Sequence, residues 1–454
     1  MNLSTFKHIY FLGIGGIGMS ALARYFNAKG YSVSGYDKSS SKLTSQLQNE
    51  GISIHFEDKG LAILNELNPK ETLVIYTPAV PQDLGEYQAL LNSQIPSIKR
   101  AKALGIITQN SKGLGVAGTH GKTTTSTLLA HVLHQSPIGC NAFLGGIASN
   151  FDSNLVLNEN STLTVIEADE FDQSFLELFP YASIITSTDA DHLDIYKNAK
   201  TLVDSFQAYA NKTKENGILI REINTAITAS NAITYSTNEP QSNADYQCFN
   251  IRFEQGEFIF DCICKRKLWE NIVLGIPGIH NASNATAVIA LCEALGLTES
   301  EIRTGLSTFK GVKRRFEYHI KEEDKVFIDD YAHHPTEINA LVNSVRLLYP
   351  NKEIRGIFQP HLYSRTKDFL EDFATALSKL DEVILLPIYA ARENSIKEVT
   401  SKVLLAKIEC PKKQVLSKNE TIDYLKQSKK TAVYLTIGAG DIDTLVQPIK
   451  EILL

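Results

Sequence analysis

Two glycine-rich segments, each set between a strand-like run and a helix-like stretch, carry the strongest chemical signal in this 454-residue chain. The second reads Gly115-Val116-Ala117-Gly118-Thr119-His120-Gly121-Lys122-Thr123-Thr124-Thr125. Backbone N–H groups of such a loop cradle phosphates, Lys122 reaches the β and γ oxygens of a nucleoside triphosphate, and the Thr123 hydroxyl suits Mg²⁺. The loop is a variant of GxxxxGK[ST]: Val116 stands where the first glycine belongs, and the glycines fall at 115, 118 and 121. His120 has two readings, a substrate contact or a loop residue without a role.

The first segment, Gly13-Ile14-Gly15-Gly16-Ile17-Gly18, follows a strand-like run and opens a helix. Glycines there let the backbone turn tightly and approach a diphosphate, which a helix N-terminus favours electrostatically. Asp37 ends the next strand, where an acidic group accepts hydrogen bonds from a ribose. The pair specifies a nucleotide diphosphate, and leaves NAD and a UDP-sugar both open.

Glu167-Ala168-Asp169-Glu170-Phe171-Asp172 closes an apolar strand in the same block as the phosphate loop, and Asp189-Ala190-Asp191-His192-Leu193-Asp194 closes the next. In a parallel sheet the carboxyl ends of strands line one edge. These carboxylates and His192 are therefore placed to converge on Mg²⁺ bridging ATP and a second substrate; the alternative is a pair of solvated acidic loops.

Other polar patches carry weaker signals. Residues 278–284 precede a helix and read as an N-cap or a ligand contact. Lys313-Arg314-Arg315 suits phosphate charge or a solvated turn. Asp329–Pro335 ends a strand and starts a helix, and its adjacent His333 and His334 point apart, which argues against a zinc site made of both. Arg365, in the loop 359–366, can hold a carboxylate through paired hydrogen bonds.

Three blocks of elements must position these groups. In residues 1–110, apolar runs at 9–12, 31–35, 52–55 and 73–76 alternate with amphipathic stretches, the rhythm of a parallel sheet covered by helices. Residues 111–317 open with a strand at 113–117 and a helix at 123–134, and continue with strands at 163–167 and 183–186. Runs at 217–221, 233–235, 247–253 and 258–262 read as an antiparallel or mixed addition, and helices at 281–295 and 299–309 close the block. Residues 318–454 alternate again: strands at 325–330, 354–358, 382–386 and 432–437, helices at 336–348 and 367–380, and a last helix opened by Gly438-Ala439-Gly440-Asp441. The expectation is an α/β protein of three domains: a Rossmann-like N-terminal domain, a central P-loop ATPase-type α/β domain with added strands, and a Rossmann-like C-terminal domain.

Composition narrows the class. Hydrophobic residues make up 43% and charged residues 21%, the mix of a soluble globular protein. A net charge of −6 argues against a nucleic-acid-binding surface over the whole protein while permitting local basic pockets. No apolar run approaches the roughly 20 residues that span a bilayer, and the N-terminus has no signal-peptide pattern, so neither membrane nor nucleic acid is an expected partner. The six cysteines are scattered except for Cys262 and Cys264, and read as free thiols of a cytoplasmic protein.

Taken in order along essentially the whole chain, these segments resemble the Mur ligases of bacterial cell-wall synthesis. The resemblance rests on GIGGIGMS at 13–20, GTHGKTTT at 118–125, EADEFD at 167–172, DADHLD at 189–194, His280-Asn281, DDYAHHPTEI at 329–338, FQPHLYSRT at 358–366 and GAGD at 438–441. The form of the first motif is that of the members that add L-alanine to UDP-N-acetylmuramate. Members that add a recycled tripeptide to the same acceptor share most of the other motifs and are the alternative. The resemblance implies that Gly13, Gly15, Gly16, Gly18, Ser20 and Asp37 hold the UDP part. It assigns Gly118, Thr119, His120, Gly121, Lys122, Thr123 and Thr124 to the ATP phosphates, Thr123 and Glu167 to one Mg²⁺, and His192 to a second. His280, Asn281 and Asn284 are assigned to adenine, Arg315 to a phosphate, and Asp330 to the nucleotide. Tyr331, His361 and Arg365 are assigned to the incoming amino acid, and Lys122, Glu167, His192 and Arg365 become the expected catalytic groups. One departure bears on amino-acid binding: many relatives carry Arg at the place of Leu362. A monomer or weak homodimer is expected.

The chemistry so implied is coherent. A carboxylate does not react with an amine at neutral pH, because its leaving group would be oxide. Transfer of the ATP γ-phosphoryl makes an acyl phosphate, which the amine attacks with loss of phosphate. A nicotinamide-dependent oxidoreductase would use Gly13–Gly18 and Asp37 but has no task for Gly118–Thr125. A non-enzymatic nucleotide switch would leave the first loop and the 167–172 carboxylates idle.

Overall fold

The structure, a computed structural model, describes residues 3–109, 111–189, 196, 198–237, 243–391, 393–428 and 431–454. The chain forms two compact units. One comprises Met1–Asn250, Asp261–Ile272 and Ser283–Phe309, the other Ile251–Phe260, Val273–Ala282 and Lys310–Leu454.

The N-terminal part of the first unit is built on β1 (His8–Leu12), β2 (Ser32–Tyr36), β3 (Ser53–His55), β4 (Thr72–Tyr76) and β5 (Ser97–Lys99). They pair in parallel in the order β3-β2-β1-β4-β5. Ile9, Tyr10, Phe11 and Leu12 of β1 are all buried, as a strand covered on both faces requires. Strand order reverses between β1 and β4. The glycine loop that follows Leu12 therefore opens at the switch point, where such sheets bind ligands.

A ten-stranded sheet follows. Its strands are β6 (Lys112–Ala117), β7 (Asn141–Ala148), β8 (Ser153–Val156), β9 (Leu163–Glu167), β10 (Pro180–Ile185), β11 (Ile218–Glu222), β12 (Ile233–Thr237), β13 (Tyr246–Glu254), β14 (Glu257–Cys264) and β15 (Lys267–Leu274). The order is β15-β14-β13-β12-β11-β10-β6-β9-β7-β8. β6 lies between β10 and β9, parallel to both, so the carboxyl ends of three strands meet at the phosphate loop. The region expected as an antiparallel or mixed addition begins in parallel, with β11, β12 and β13. β14 follows through Gln255-Gly256, both at positive φ as a two-residue hairpin turn demands.

The β7–β8 hairpin was not foreseen. It pairs antiparallel and packs against the helix Ile17–Ala28, with Tyr25 and Phe143 ring centroids 5.4 Å apart. The helix Lys122–Gln135 buries every residue from Thr125 to Leu133, and Gly305 of the helix Glu299–Thr308 allows close packing on Val132.

The second unit holds β16 (Glu317–Lys321), β17 (Lys325–Asp330), β18 (Ile354–Phe358), β19 (Glu382–Leu385), β20 (Lys412–Val415) and β21 (Ala432–Ile437), ordered β16-β17-β21-β18-β19-β20. Only β16 runs antiparallel to its neighbour. The helix expected over 367–380 is two helices, Tyr363–Asp368 and Leu370–Leu377. They break at Phe369, whose φ of −114° and ψ of 28° leave the helical region. All six cysteines are buried and free, with the sulfurs of Cys262 and Cys264 3.6 Å apart on one face of β14. Among the described residues no helix is long and apolar enough to cross a membrane.

Candidate active site

The loop from Gly118 to Gly121 joins the end of β6 to the helix Lys122–Gln135. Its glycines are obligatory. Gly118 has φ +135°, and a Cβ there would stand 2.1 Å from Thr186 Oγ1; Gly121 has φ +81° and would meet Asn284 Oδ1 at 2.6 Å. The loop is braced from the segment that follows β10. Thr186 Oγ1 donates to the carbonyl oxygens of Ala117 and His120, and Ser187 Oγ accepts from His120 N–H at 2.9 Å. His120 Nε2 lies 3.6 Å from Asp189 Oδ2. Thr119 Oγ1 is 3.1 Å from Ser187 Oγ. Thr123 and Thr124 occupy the first turn of the helix, and Asn284, 6% exposed, abuts the loop at Gly121.

Lys122 Nζ donates to Gly118 O at 2.7 Å and to Glu170 Oε1 at 2.9 Å. Burial opposes its charge, but the carboxylates of Glu170, Asp169 and Glu167 outweigh that cost and hold the ammonium above its ordinary pKa. Glu167 ends β9 opposite Val116 of β6, and its carboxylate fills the space beside Gly145 of β7, where a Cβ would lie 2.2 Å from Oε2. After Glu170 the chain turns sharply, with Asp172 and Gln173 at φ +53° and +54°, and Tyr196 O–H donates to Glu170 O. The site therefore gathers three carboxylates around one loop lysine. The expectation for His192 lies outside the described residues.

In the first glycine loop, Gly13 takes φ +82°, and the N–H groups of Gly13 and Ile14 donate to Tyr36 O at 2.8 and 3.0 Å. Asp37 Oδ2 accepts from Gly15 N–H at 2.7 Å, so this carboxylate braces the loop from within. Gly16 caps the helix Ile17–Ala28. Gly18 makes room for Arg100, whose Nη1 lies 2.8 Å from where its Cβ would be. Ser20 is fully buried: its hydroxyl donates to Ile17 O and accepts from Asn154 of β8. Asn154 also donates to Ile17 O at 2.6 Å and accepts from Arg24, which ties this helix to the β7–β8 hairpin.

In the second unit a further cluster sits where β16 begins and β17 and β18 end. Asp330 accepts from Phe316 N–H at 2.7 Å and Ala332 N–H at 2.8 Å, yet burial pushes its pKa up to about 6 against these bonds and Arg315. The guanidinium groups of Arg314 and Arg315 lie 5.0 and 5.1 Å from the Tyr331 ring centroid. His333 Nδ1 is 3.0 Å from Tyr331 O and 3.4 Å from Glu337, and burial lowers its pKa and favours the neutral ring. His361 stacks on Tyr389 at 5.6 Å, and the buried Arg365 brings Nη1 to 3.5 Å from His361 Nδ1. Leu362 takes φ +71°, a strained value for leucine, in the turn that seats Arg365. At the start of the helix Ile279–Ala294, His280 is solvent-accessible, and Asn281 donates to Pro277 O at 2.6 Å.

Sequence reasoning had not picked out Glu170 as the partner of Lys122, nor Ser187, Asn154, Arg100 and Glu337. Glu170 lay within the segment 167–172 and Glu337 within 329–338; Ser187, Asn154 and Arg100 lay in no segment marked for its chemistry.

Residues 8–112 match the catalytic domain of the Mur ligase family, residues 116–292 the Mur ligase middle domain, and residues 314–440 the Mur ligase glutamate ligase domain. The chain belongs to the Mur ligase family. It is 48% identical over 453 residues to UDP-N-acetylmuramate--L-alanine ligase of Porphyromonas gingivalis, covering 98% of this chain and 99% of that protein. It is 47% identical over 458 residues to the ligase of the same name from Flavobacterium psychrophilum, covering 99% of each. The solved UDP-N-acetylmuramate-alanine ligase MurC of Thermotoga maritima superposes with a TM-score of 0.81 at 28% identity over 98% of both chains. A murein peptide ligase of Psychrobacter arcticus, at 23% identity and a TM-score of 0.72 over 98% of both chains, shares the fold.

Proposed function

We propose that this chain is an ATP-dependent ligase that joins L-alanine to the carboxylate of UDP-N-acetylmuramate in peptidoglycan precursor synthesis. The full-length relatives that carry this name support the reading. The structural observation that carries it is the placement of Lys122 among Glu167, Asp169 and Glu170 at a phosphate loop, in the same unit as a second nucleotide-type loop. A dehydrogenase has no use for the first arrangement, and a nucleotide switch has none for the second.

In the reaction, a carboxylate oxygen of the sugar acid attacks the γ-phosphorus, the bond to ADP breaks, and an acyl phosphate forms. The neutral amine of L-alanine then attacks the acyl carbon, and phosphate leaves from the tetrahedral intermediate. Lys122 offsets charge on the transferring phosphoryl group, and the braced backbone of Gly118–Gly121 fixes its position. Hard oxygen donors beside a phosphate loop suit Mg²⁺, with Thr123 and Glu167 as its holders; such an ion would neutralise phosphate charge. Arg365 holds the α-carboxylate of the amino acid through two parallel hydrogen bonds. Asn284, whose side chain lies beside Gly121, meets the nucleoside of ATP in this reading. Work of this kind on soluble precursors belongs in the cytoplasm.

A substrate screen tests this reading. With ATP and UDP-N-acetylmuramate, single amino acids and the tripeptide L-Ala-γ-D-Glu-diaminopimelate are compared by mass of the UDP-linked product. The expected result is a product heavier by one alanine residue. A tripeptide adduct formed in preference would reassign the chain to recycling.

A further inference from the structure

The helix Tyr363–Asp368, which carries Arg365, begins under strain. Its N-cap is Leu362, at φ +71° and ψ 139°, with no side-chain bond to the helix. Glycine adopts that combination freely, whereas a leucine keeps it only where its surroundings fix it. Other helices of this chain start without such strain. Lys418–Gln427, Ser401–Lys407 and Glu299–Thr308 are capped by the side chains of Ser417, Thr400 and Thr298, each in extended backbone at negative φ.

The strained turn is held from the segment that follows β19. Leu362 N–H donates to Tyr389 O at 2.9 Å, and Tyr389 N–H donates to Pro360 O at 2.8 Å. The next two N–H groups go to one carboxylate oxygen of Glu393, from Tyr363 at 2.6 Å and from Ser364 at 3.0 Å. The other oxygen of Glu393 accepts from the Ser364 hydroxyl. First-turn N–H groups have no intrahelical acceptor. Glu393 therefore supplies, from 30 residues away, what an N-cap side chain supplies elsewhere in the chain. Arg365 comes directly after these two held residues. It is buried, and its Nη1 returns to within 3.5 Å of Nδ1 of His361, the residue that precedes the strained turn. A guanidinium so enclosed has little room to correct for a turn that shifts beneath it.

We infer that Glu393 is a positioning residue for the amino-acid site: its carboxylate keeps Leu362 in the left-handed conformation and so aims Arg365 at the α-carboxylate of L-alanine. The inference rests on the function proposed above.

The test compares full-length Glu393→Ala, Glu393→Gln, Leu362→Gly and the double variant Glu393→Ala with Leu362→Gly against the wild type. Two rates are read at saturating ATP and UDP-N-acetylmuramate: formation of the alanyl product, and formation of hydroxamate with hydroxylamine in place of L-alanine. Hydroxylamine attacks the acyl carbon and releases phosphate, and it has no carboxylate for Arg365 to hold. Glu393→Ala should raise the KM for L-alanine on the order of 3–30-fold, the loss expected of a helix cap, with the hydroxamate rate and the KM for ATP within about twofold of wild type. Glu393→Gln, which keeps an acceptor oxygen, should fall between. The double variant should return to within about threefold of Leu362→Gly alone, because glycine holds φ +71° unaided. An unchanged KM for L-alanine in Glu393→Ala overturns the inference. So does a hydroxamate rate that falls in step, which marks a structural residue, and so does a raised KM that Leu362→Gly leaves in place. If the wild type forms no alanyl product, the proposed function fails and this inference with it; a defect confined to the variants bears on Glu393 alone.

Discussion

Lys122 Nζ lies 2.9 Å from Glu170 Oε1, a carboxylate with no solvent exposure, while also holding the carbonyl oxygen of its own Gly118 at 2.7 Å. The loop cation is thus oriented before any nucleotide arrives, and its charge is kept by buried acid rather than by water. Removing one partner of such a pair leaves the other uncompensated, at a cost of about 3–5 kcal/mol. Lys122→Met should therefore destabilise the protein more than Lys122→Met combined with Glu170→Gln, which removes both charges. Urea unfolding measures the difference; equal stability of the two variants would mean the pair is not coupled. Turnover should fall on the order of 10²-fold or more in both.

The Glu167 carboxylate occupies the space beside Gly145. Glu167→Gln should raise the Mg²⁺ concentration needed for half-maximal rate, with partial recovery at high Mg²⁺. Gly145→Ala should give the same signature without touching any charge, because its methyl group displaces the carboxylate. A Mg²⁺ titration of both variants decides. An unshifted curve for Glu167→Gln would move the metal role to Glu170 or Asp169.

These relationships show what was legible beforehand. The phosphate loop, the first glycine loop and the three α/β blocks could be read because glycine spacing and strand-to-helix alternation are local signals. The pairing of Lys122 with Glu170 spans 48 residues and depends on β6 and β9 lying side by side, which no local pattern states. Ser20 was grouped with the nucleotide contacts by its motif, yet its burial against Asn154 follows from a hairpin whose strand β7 carries a paired glycine, a weak strand signal. The break at Phe369 was hidden because amphipathic spacing continues through it.

Asp330 offers a test by pH. Its folded-state pKa of about 6 exceeds the unfolded carboxyl value of 3.8, so the folded chain holds a proton the unfolded chain lacks between those values. Stability from this group is present in full below the lower value and is lost as pH rises through about 6. Relative to Asp330→Asn, the wild type should gain on the order of 1–3 kcal/mol between pH 7.5 and pH 4.5. Melting curves of the two proteins across that range provide the check; parallel curves would place the Asp330 pKa near normal.

Arg365 is buried beside His361, in a turn where Leu362 supplies no second guanidinium. Arg365→Lys should raise the KM for L-alanine about tenfold or more while leaving that for ATP within about twofold, since lysine cannot make the paired contact. A change confined to the ATP constant would instead mark Arg365 as a phosphate ligand.

The central claim is acyl-phosphate ligation of L-alanine to UDP-N-acetylmuramate, and stoichiometric phosphate release with each substrate omitted in turn measures it most directly. Phosphate should appear in a one-to-one ratio with UDP-N-acetylmuramyl-L-alanine. It should stop when ATP or the sugar acid is withheld, and fall to a slow background when L-alanine is withheld. Phosphate release that proceeds equally well without UDP-N-acetylmuramate, or product formed without phosphate, would contradict the account.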